Sequence, residues 1–210
     1  MSIVTNERRK DSYMNINYLL NNTFSQDIAI DIGTDTTLIY IQGKGIVLKE
    51  PSCIAFDKSA GTVEATGNEA KQMLGKSPKM IDIVRPIENG VISDYSMTEK
   101  MIKKFLTSVY EKTVLKPRII ASVPSGSTDV EQRAMCGMLK DAGARDVYLI
   151  EAPLAAASGS GCDISLARGM LIVDIGGGRC DAASISLGAS VIKKTATAAG
   201  NRIDREIIKY

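Results

Sequence analysis

The strongest constraint on this chain is a local plan that occurs twice. Asp31-Ile32-Gly33-Thr34-Asp35-Thr36-Thr37 and Asp174-Ile175-Gly176-Gly177-Gly178-Arg179-Cys180 each follow an apolar strand, turn through small or polar residues and lead into another strand. One such turn is commonplace in structural hairpins. Two copies, each after a buried strand, point to a shared task. Glycines there let the backbone aim consecutive N–H groups at an anion. A carboxylate at the strand end, Asp31 in one copy and Asp174 in the other, suits Mg2+ held through water, since Mg2+ prefers oxygen ligands and keeps much of its hydration shell. Facing each other, two such hairpins can clamp a nucleotide's phosphates from both sides.

The segments between and around the hairpins alternate in period. Residues 27–33 read as a strand with 37–42 as its partner, and 46–56 continues in β character. Residues 66–76 have helical spacing and end at a glycine. Residues 96–113 predict a long helix with Met97, Met101, Ile102, Phe105, Leu106 and Val109 on one face. A buried strand over 116–126 ends in a Ser-Gly turn. A helix from Thr128 to Ala142 follows, with Ser127, Thr128 and Asp129 as cap candidates. Then come a strand at 146–153, a helix starting at Leu154 after Pro153, a strand into the second glycine turn at 169–180, more strand over 181–200, and a helix over 201–210. Strands alternating with helices make the class α/β. Residues 1–26 differ in texture, rich in Asn, Ser and charge, and are expected to be a disordered tail outside the fold or a short amphipathic segment touching a membrane or partner.

Composition narrows the chemistry. The chain is 44% hydrophobic and 24% charged, enough apolar content over 210 residues to bury a core. Lys plus Arg number 26 against 24 Asp plus Glu, so the charge balance gives no support to nucleic acid as a partner. There is no histidine, which excludes a Ser-His-Asp triad, a His metal site and His acid–base catalysis. Cys53, Cys136, Cys162 and Cys180 form no C-x-x-C pair, so reduced thiols in a cytoplasmic setting are the expectation. No apolar run reaches the roughly 18 residues that span a bilayer, and the N-terminus lacks the apolar core of a signal peptide.

With the hairpins, several further stretches are distinctive: GKGIVLKEPS (43–52), GNEAKQMLGKSP (67–78), VRPIENGVISDY (84–95), KPRIIASVPSG (116–126) and VYLIEAPLAAA (147–157). On these the chain resembles the actin-like ATPase superfamily, and within it the MreB branch of bacterial cytoskeletal proteins, over nearly everything beyond the tail. The resemblance implies an actin-like (ribonuclease H-like) fold, with a first lobe over 27–168, a small insert near 50–85, and a second lobe begun at 169–210. It implies ATP and Mg2+ as cofactors, with Gly33, Thr34, Asp35, Thr36, Gly176, Gly177, Gly178 and Gly200 at the nucleotide and Asp31 and Asp174 at the metal through water. It also implies cytoplasmic filaments controlling cell shape, built with itself or a full-length relative. A membrane contact would run through Val114 and Leu115, with Lys112, Lys116 and Arg118 nearby, or through the N-terminal tail.

Four departures qualify that picture. Asp35 stands where the family has a small neutral residue, so it is expected either to face solvent or to need Mg2+ between it and the phosphates. Arg179 and Cys180 replace two threonines; the arginine can add charge at a phosphate or fill the site, and a thiol is a poor substitute for a hydroxyl donor. Ala152 replaces the glutamate that positions the attacking water, and Glu151, one residue away, should face elsewhere. The family also continues past residue 210. Hydrolysis is therefore expected to be weak or lost. An active ATPase and a non-hydrolysing, truncated paralogue that regulates other filaments are the alternatives. Lys71, matching a lysine of the insert, is expected to be a solvated helix residue.

Overall fold

Alternation in the first strands decides which side of the main sheet is the core. In β1 (Asp27–Ile32) the side chains of Ile28, Ile30 and Ile32 are buried, and in β2 (Thr36–Ile41) those of Thr37, Ile39 and Ile41. This is the period of two that puts one face inside. A computed structural model describes residues 25–110 and 115–210 of the chain. Ser25 and Gln26, expected in the tail, are tied to residues 116–118. Ser25 is buried and its hydroxyl donates to the Lys116 carbonyl at 3.0 Å, while the Arg118 amide donates to the Gln26 carbonyl at 3.1 Å. The rest of the expected tail lies outside the described residues.

The meander continues into β3 (Gly45–Pro51), antiparallel to β2. The run 46–56 is not one strand, because the chain leaves the sheet at Ser52. Strands β4 (Ile54–Asp57), β5 (Thr62–Thr66) and β6 (Ile81–Val84) make a separate antiparallel sheet in the order β5-β4-β6, with helix α1 (Gly67–Gln72) between β5 and β6 in the chain. Its core is made of small side chains, Cys53, Ala55, Ala65 and Ala70. Strands β7 (Ile87–Glu88) and β8 (Val91–Ile92) then form a minimal hairpin. Its two-residue turn, Asn89-Gly90, has φ of 51° and 76°, the positive pair that a type I′ turn needs and Asn-Gly supplies.

Helix α2 (Tyr95–Val109) is capped by Asp94, whose carboxylate accepts from the Met97 amide at 2.9 Å. It ends four residues short of the expected 113, since Tyr110 is already extended and 111–114 lie outside the described residues. Strand β9 (Arg118–Val123), helix α3 (Asp129–Asp141) and strand β10 (Asp146–Glu151) form a parallel crossover unit beside β1, giving the sheet order β10-β9-β1-β2-β3. Of the three cap candidates, Thr128 is the one used. Its hydroxyl accepts from the Glu131 amide at 3.3 Å and its own amide donates to the Glu131 carboxylate at 2.7 Å, a reciprocal box. Met101, Ile102, Phe105 and Leu106 of α2 and Met135, Met138 and Leu139 of α3 cover one face of the sheet. Full burial of side chains such as Ile39, Ile119 and Met138 is worth about 1.5–3 kcal/mol each.

Helix α4 (Ala152–Gly159) starts two residues before the expected Leu154, because Pro153 sits in its first turn where a missing N–H costs nothing. It packs under a third sheet, β11-β12-β13, made of β11 (Met170–Ile175), β12 (Cys180–Ser186) and β13 (Ala189–Ala196). Ala157, Ala183 and Ile185 are the centre of its core. The other face of β11 leaves Leu171, Val173 and Ile175 exposed. Helix α5 (Gly200–Lys209) closes the described chain with Ile203, Ile207 and Ile208 exposed. Among the described residues no helix is long and apolar enough to cross a membrane.

Candidate functional site

The two glycine hairpins are built alike. Gly33 N–H donates to the Thr36 carbonyl at 3.1 Å, and Gly176 N–H donates to the Arg179 carbonyl at 2.8 Å, the same three-residue closure in each. A Cβ on Gly33 would lie 2.8 Å from the Thr36 carbonyl oxygen, so the closure itself requires glycine. Behind the first hairpin stands Ser52, fully buried. It donates its hydroxyl to the Gly33 carbonyl at 2.7 Å and its amide to the Asp35 carbonyl at 3.0 Å, and its oxygen accepts from the Thr37 hydroxyl at 2.9 Å. Behind the second stands the start of α5, where Gly200 N–H donates to the Gly176 carbonyl at 3.2 Å and Asn201 N–H to the Gly177 carbonyl at 2.8 Å. At the tips, the amides of Thr34, Asp35, Gly177 and Gly178 donate to no protein acceptor among the described residues. They are available to an anion.

Both tips open on one cleft of ≈ 260 Å³. Asp31, Gly33, Thr34, Asp35 and Thr36 line it from one side, and Asp174, Gly176, Gly177 and Gly178 from the other. Of the residues expected at the nucleotide, Gly200 alone is absent from the lining, its amide committed to Gly176. The tips also touch. The Asp35 carboxylate lies against Gly177 and the Thr34 side chain against Gly178, so closely that a Cβ on either glycine would overlap them. Asp35 is open to solvent in part, its side chain 38% exposed, but it does not stand alone. Its Oδ1 accepts from Asn201 Nδ2 at 3.0 Å and pairs with the Arg85 guanidinium at 3.3 Å. The Thr34 hydroxyl accepts from the Gly90 amide at 2.8 Å, which ties the β7–β8 turn to the first tip.

The charge distribution suits a cation. Asp31 accepts a short hydrogen bond from Ser122 on β9. Asp174 is pushed above the ordinary aspartate value, first by burial and then by the negative charges of Asp31 and Asp181. Carboxylates that burden one another in this way are relieved by a bound cation. No group of three or more His, Cys, Asp or Glu side chains among the described residues is arranged to hold a bare ion. An ion here would therefore keep most of its water, as Mg2+ does. Asp181 is buried and accepts from Ser125 Oγ at 2.8 Å and from the Thr195 hydroxyl, linking the β9–α3 loop to β12 and β13.

Ala152 lines the cleft with a methyl group, while Glu151 turns away to pair with Lys193 at 2.5 Å. Burial is the largest single influence on the Glu151 carboxyl and pushes it up, but the Lys193 and Ser190 side chains together outweigh it and leave the group below its usual range. Arg179 lines the cleft beside Gly90, with its Nε buried and unpaired. Cys180 begins β12, half-buried and outside the cleft lining. Val114 lies outside the described residues. Leu115 is exposed and its carbonyl accepts from the Tyr110 hydroxyl at 2.8 Å. Arg118 holds Asp27 through two bonds of 2.7 and 2.6 Å, and this pairing raises its pKa. Ser52, Arg85, Ser122, Ser125, Asp181 and Asn201 escaped the sequence reading. Only Asn201, next to Gly200 at the start of a helical pattern, carried a local signal.

A model of the MreB/Mbl protein family matches residues 25–210. The cell shape-determining protein MreB of Escherichia coli strain K12 is 46% identical over 193 residues, covering 89% of this chain and 56% of that protein. Mbl of Bacillus subtilis strain 168, also a cell shape-determining protein, is 44% identical over 188 residues with the same coverage, 89% and 56%. The chain thus spans about half the length of the curated relatives it matches. Among solved structures, MreB5 of Spiroplasma citri bound to AMPPNP superposes with a TM-score of 0.82 at 35% identity over 89% of this chain and 56% of that one. A chain of the MamK double helical filament superposes with a TM-score of 0.73 at 20% identity over 88% and 58%, a likeness of fold. The fold is that of the actin-like ATPases. The chain belongs to the MreB/Mbl family.

Proposed function

We propose that this chain binds ATP with Mg2+ between its two glycine hairpins and serves in cytoplasmic, membrane-associated filaments that govern cell shape. The observation that carries the reading is the pair of like-built hairpins, with unpaired amides at both tips and Asp31 and Asp174 brought together beneath them. Gly33, Thr34, Thr36, Gly176, Gly177 and Gly178 would hold the phosphates, and Asp31 and Asp174 would hold Mg2+ through water. The metal would neutralise phosphate charge. The S. citri relative was solved with AMPPNP and with ADP, which supports a nucleotide in the corresponding cleft. In this reading residues 27–168 form a first lobe with its insert near 50–85, and residue 169 begins a second. The filament partner is another copy or a full-length relative, with no part for nucleic acid. Leu115 and its neighbours, or the N-terminal segment, meet the membrane.

Hydrolysis is weak or lost in this reading, because Ala152 can neither orient nor deprotonate a water. Ala152 and the Arg179 side chain in the cleft equally favour a second reading, a non-hydrolysing paralogue that modulates other filaments. Titration calorimetry with ATP, with and without Mg2+, tests the main proposal. Mg2+-dependent binding that disappears in Asp174→Ala is expected. Binding that survives the substitution unchanged would remove the metal-clamp role from Asp174.

A further inference from the structure

The tips of the two hairpins are interleaved, and the group that interleaves them is charged. We propose that Asp35 is the cleft's own anion. Without nucleotide, its carboxylate takes the seat over Gly177 that a phosphate would take, and it clasps the two hairpins so that an incoming phosphate must displace it. The inference rests on the reading of the hairpins as a phosphate clamp.

The carboxylate's surroundings are those of a bound anion. A guanidinium (Arg85, 3.3 Å) comes from the end of the small sheet, and a neutral N–H donor (Asn201 Nδ2, 3.0 Å) comes from α5. The backbone of Gly177 lies beneath, so near that a Cβ there would overlap the carboxylate. A phosphate oxygen recruits charged and neutral side-chain donors of the same kinds, and would add the Gly177 and Gly178 amides, which Asp35 leaves unpaired. The contact is also anchored at both ends. Ser52 N–H holds the Asp35 carbonyl at 3.0 Å, and Asn201 N–H is bonded to the Gly177 carbonyl at 2.8 Å. Asp35 and Asn201, 166 residues apart in sequence, therefore fix one hairpin against the other. Thr34 repeats the interleaving over Gly178. A nucleotide's phosphate would meet like charge and an occupied seat, so binding requires Asp35 to swing out and the clasp to open. With its side chain 38% exposed and that of Arg85 47% exposed, the clasp has water at hand to receive it.

Calorimetric titration of the whole chain with ATP in excess Mg2+ tests this on wild type, Asp35→Ala and Asp35→Asn. Amide exchange at residues 201–203 is followed in the ligand-free proteins. Asp35→Ala is expected to bind about tenfold tighter or more, the scale of one charge-assisted bond no longer in competition. Asp35→Asn, which keeps an acceptor for Asn201 but no charge, should gain less. Exchange at 201–203 should quicken in Asp35→Ala. Equal or weaker binding by Asp35→Ala, with wild type binding, overturns the clasp and leaves the phosphate reading standing. So does unchanged exchange. Absence of binding by wild type and both variants overturns the phosphate reading and the clasp with it. If Asp35→Ala does not fold, Asp35→Asn decides: tighter binding supports the clasp, and equal or weaker binding ends it.

Discussion

Replacing Ser125 by alanine tests whether the joint between the large sheet and the β11–β13 sheet depends on a buried carboxylate. Ser125 is 4% exposed and Asp181 is 5% exposed, and the hydroxyl donates to the carboxylate at 2.8 Å. Thr195 donates to the same oxygen and lies 3.3 Å from the Ser125 hydroxyl. The alanine variant leaves Asp181 with one of these two donors, in a place where water enters poorly. A hydrogen bond to a charged group contributes about 1.5–3 kcal/mol. Because Thr195 stays, a loss near the middle, about 2 kcal/mol, is expected. At about 2–4 °C per kcal/mol for a domain of this size, that corresponds to a fall in melting temperature of about 4–8 °C. Circular dichroism melts at neutral pH measure it. A cycle with Asp181→Asn then isolates the pairwise term, since both residues share one network. A fall of less than 1 °C, or strictly additive effects in the cycle, would refute the argument that this bond secures the joint.

Two further outcomes follow from the same cleft. Asp174 is held above its usual 3.8 by burial and by Asp31 and Asp181. Its contribution to stability is therefore full below pH 3.8 and lost as pH rises through its elevated folded value. At neutral pH its charge is a net cost, so Asp174→Asn should melt higher than wild type without ligand, with the gap closing in acid; a lower melting point at neutral pH contradicts the assignment. Ala152→Glu alone should not bring back brisk phosphate release from Mg-ATP while Arg179 remains in the cleft and Cys180 stands in place of a hydroxyl; a rate rising by orders of magnitude in a phosphate-release assay would show that the glutamate was the whole deficit.

What could be read from the sequence is what short range determines. The hairpins were legible because in each an apolar strand runs into Asp-Ile-Gly, at Asp31-Ile32-Gly33 and Asp174-Ile175-Gly176, and glycine admits the backbone angles that a tight turn needs. The Thr128–Glu131 box and the buried stripe of α2 are equally local. The clasp was not legible, because nothing near Asp35 announces Asn201, 166 positions later. Ser122 and Asp31 are 91 apart, and Ser125 and Asp181 are 56 apart. Ser52 lay inside a run read as continuous β, 46–56, yet the chain breaks there, and that break both launches the small sheet and buries the hydroxyl that supports Gly33. The two-residue strands around Asn89-Gly90 were too short for a periodic pattern, and what aims their turn at Thr34 is a single amide. Residue types near a site are a local property, whereas their pairing depends on register and topology.

The chemistry of the joint bears on how the cleft can work. Three polar connections among the described residues that span it are Ser125 to Asp181 and Thr195, Glu151 to Lys193, and Asp35 to Asn201. The apolar cores on either side, one around Ile39 and Met138 and the other around Ala157, Ala183 and Ile185, are separate clusters. Parting the hairpins thus exchanges polar contacts for water, at a net cost of about 1 kcal/mol for an ordinary hydrogen bond, and opens neither core. An apolar joint of similar extent would expose hydrocarbon at about 25 cal/mol per Å² and resist opening in proportion to its area. The buried Ser125–Asp181 bond is the stiffest of the three, so it is the natural pivot. The exposed Asp35 contacts, at the cleft mouth, are the ones a ligand can exchange. The order of strength follows from burial alone, and it predicts that losing Ser125 loosens the whole joint whereas losing Asp35 frees only the tips.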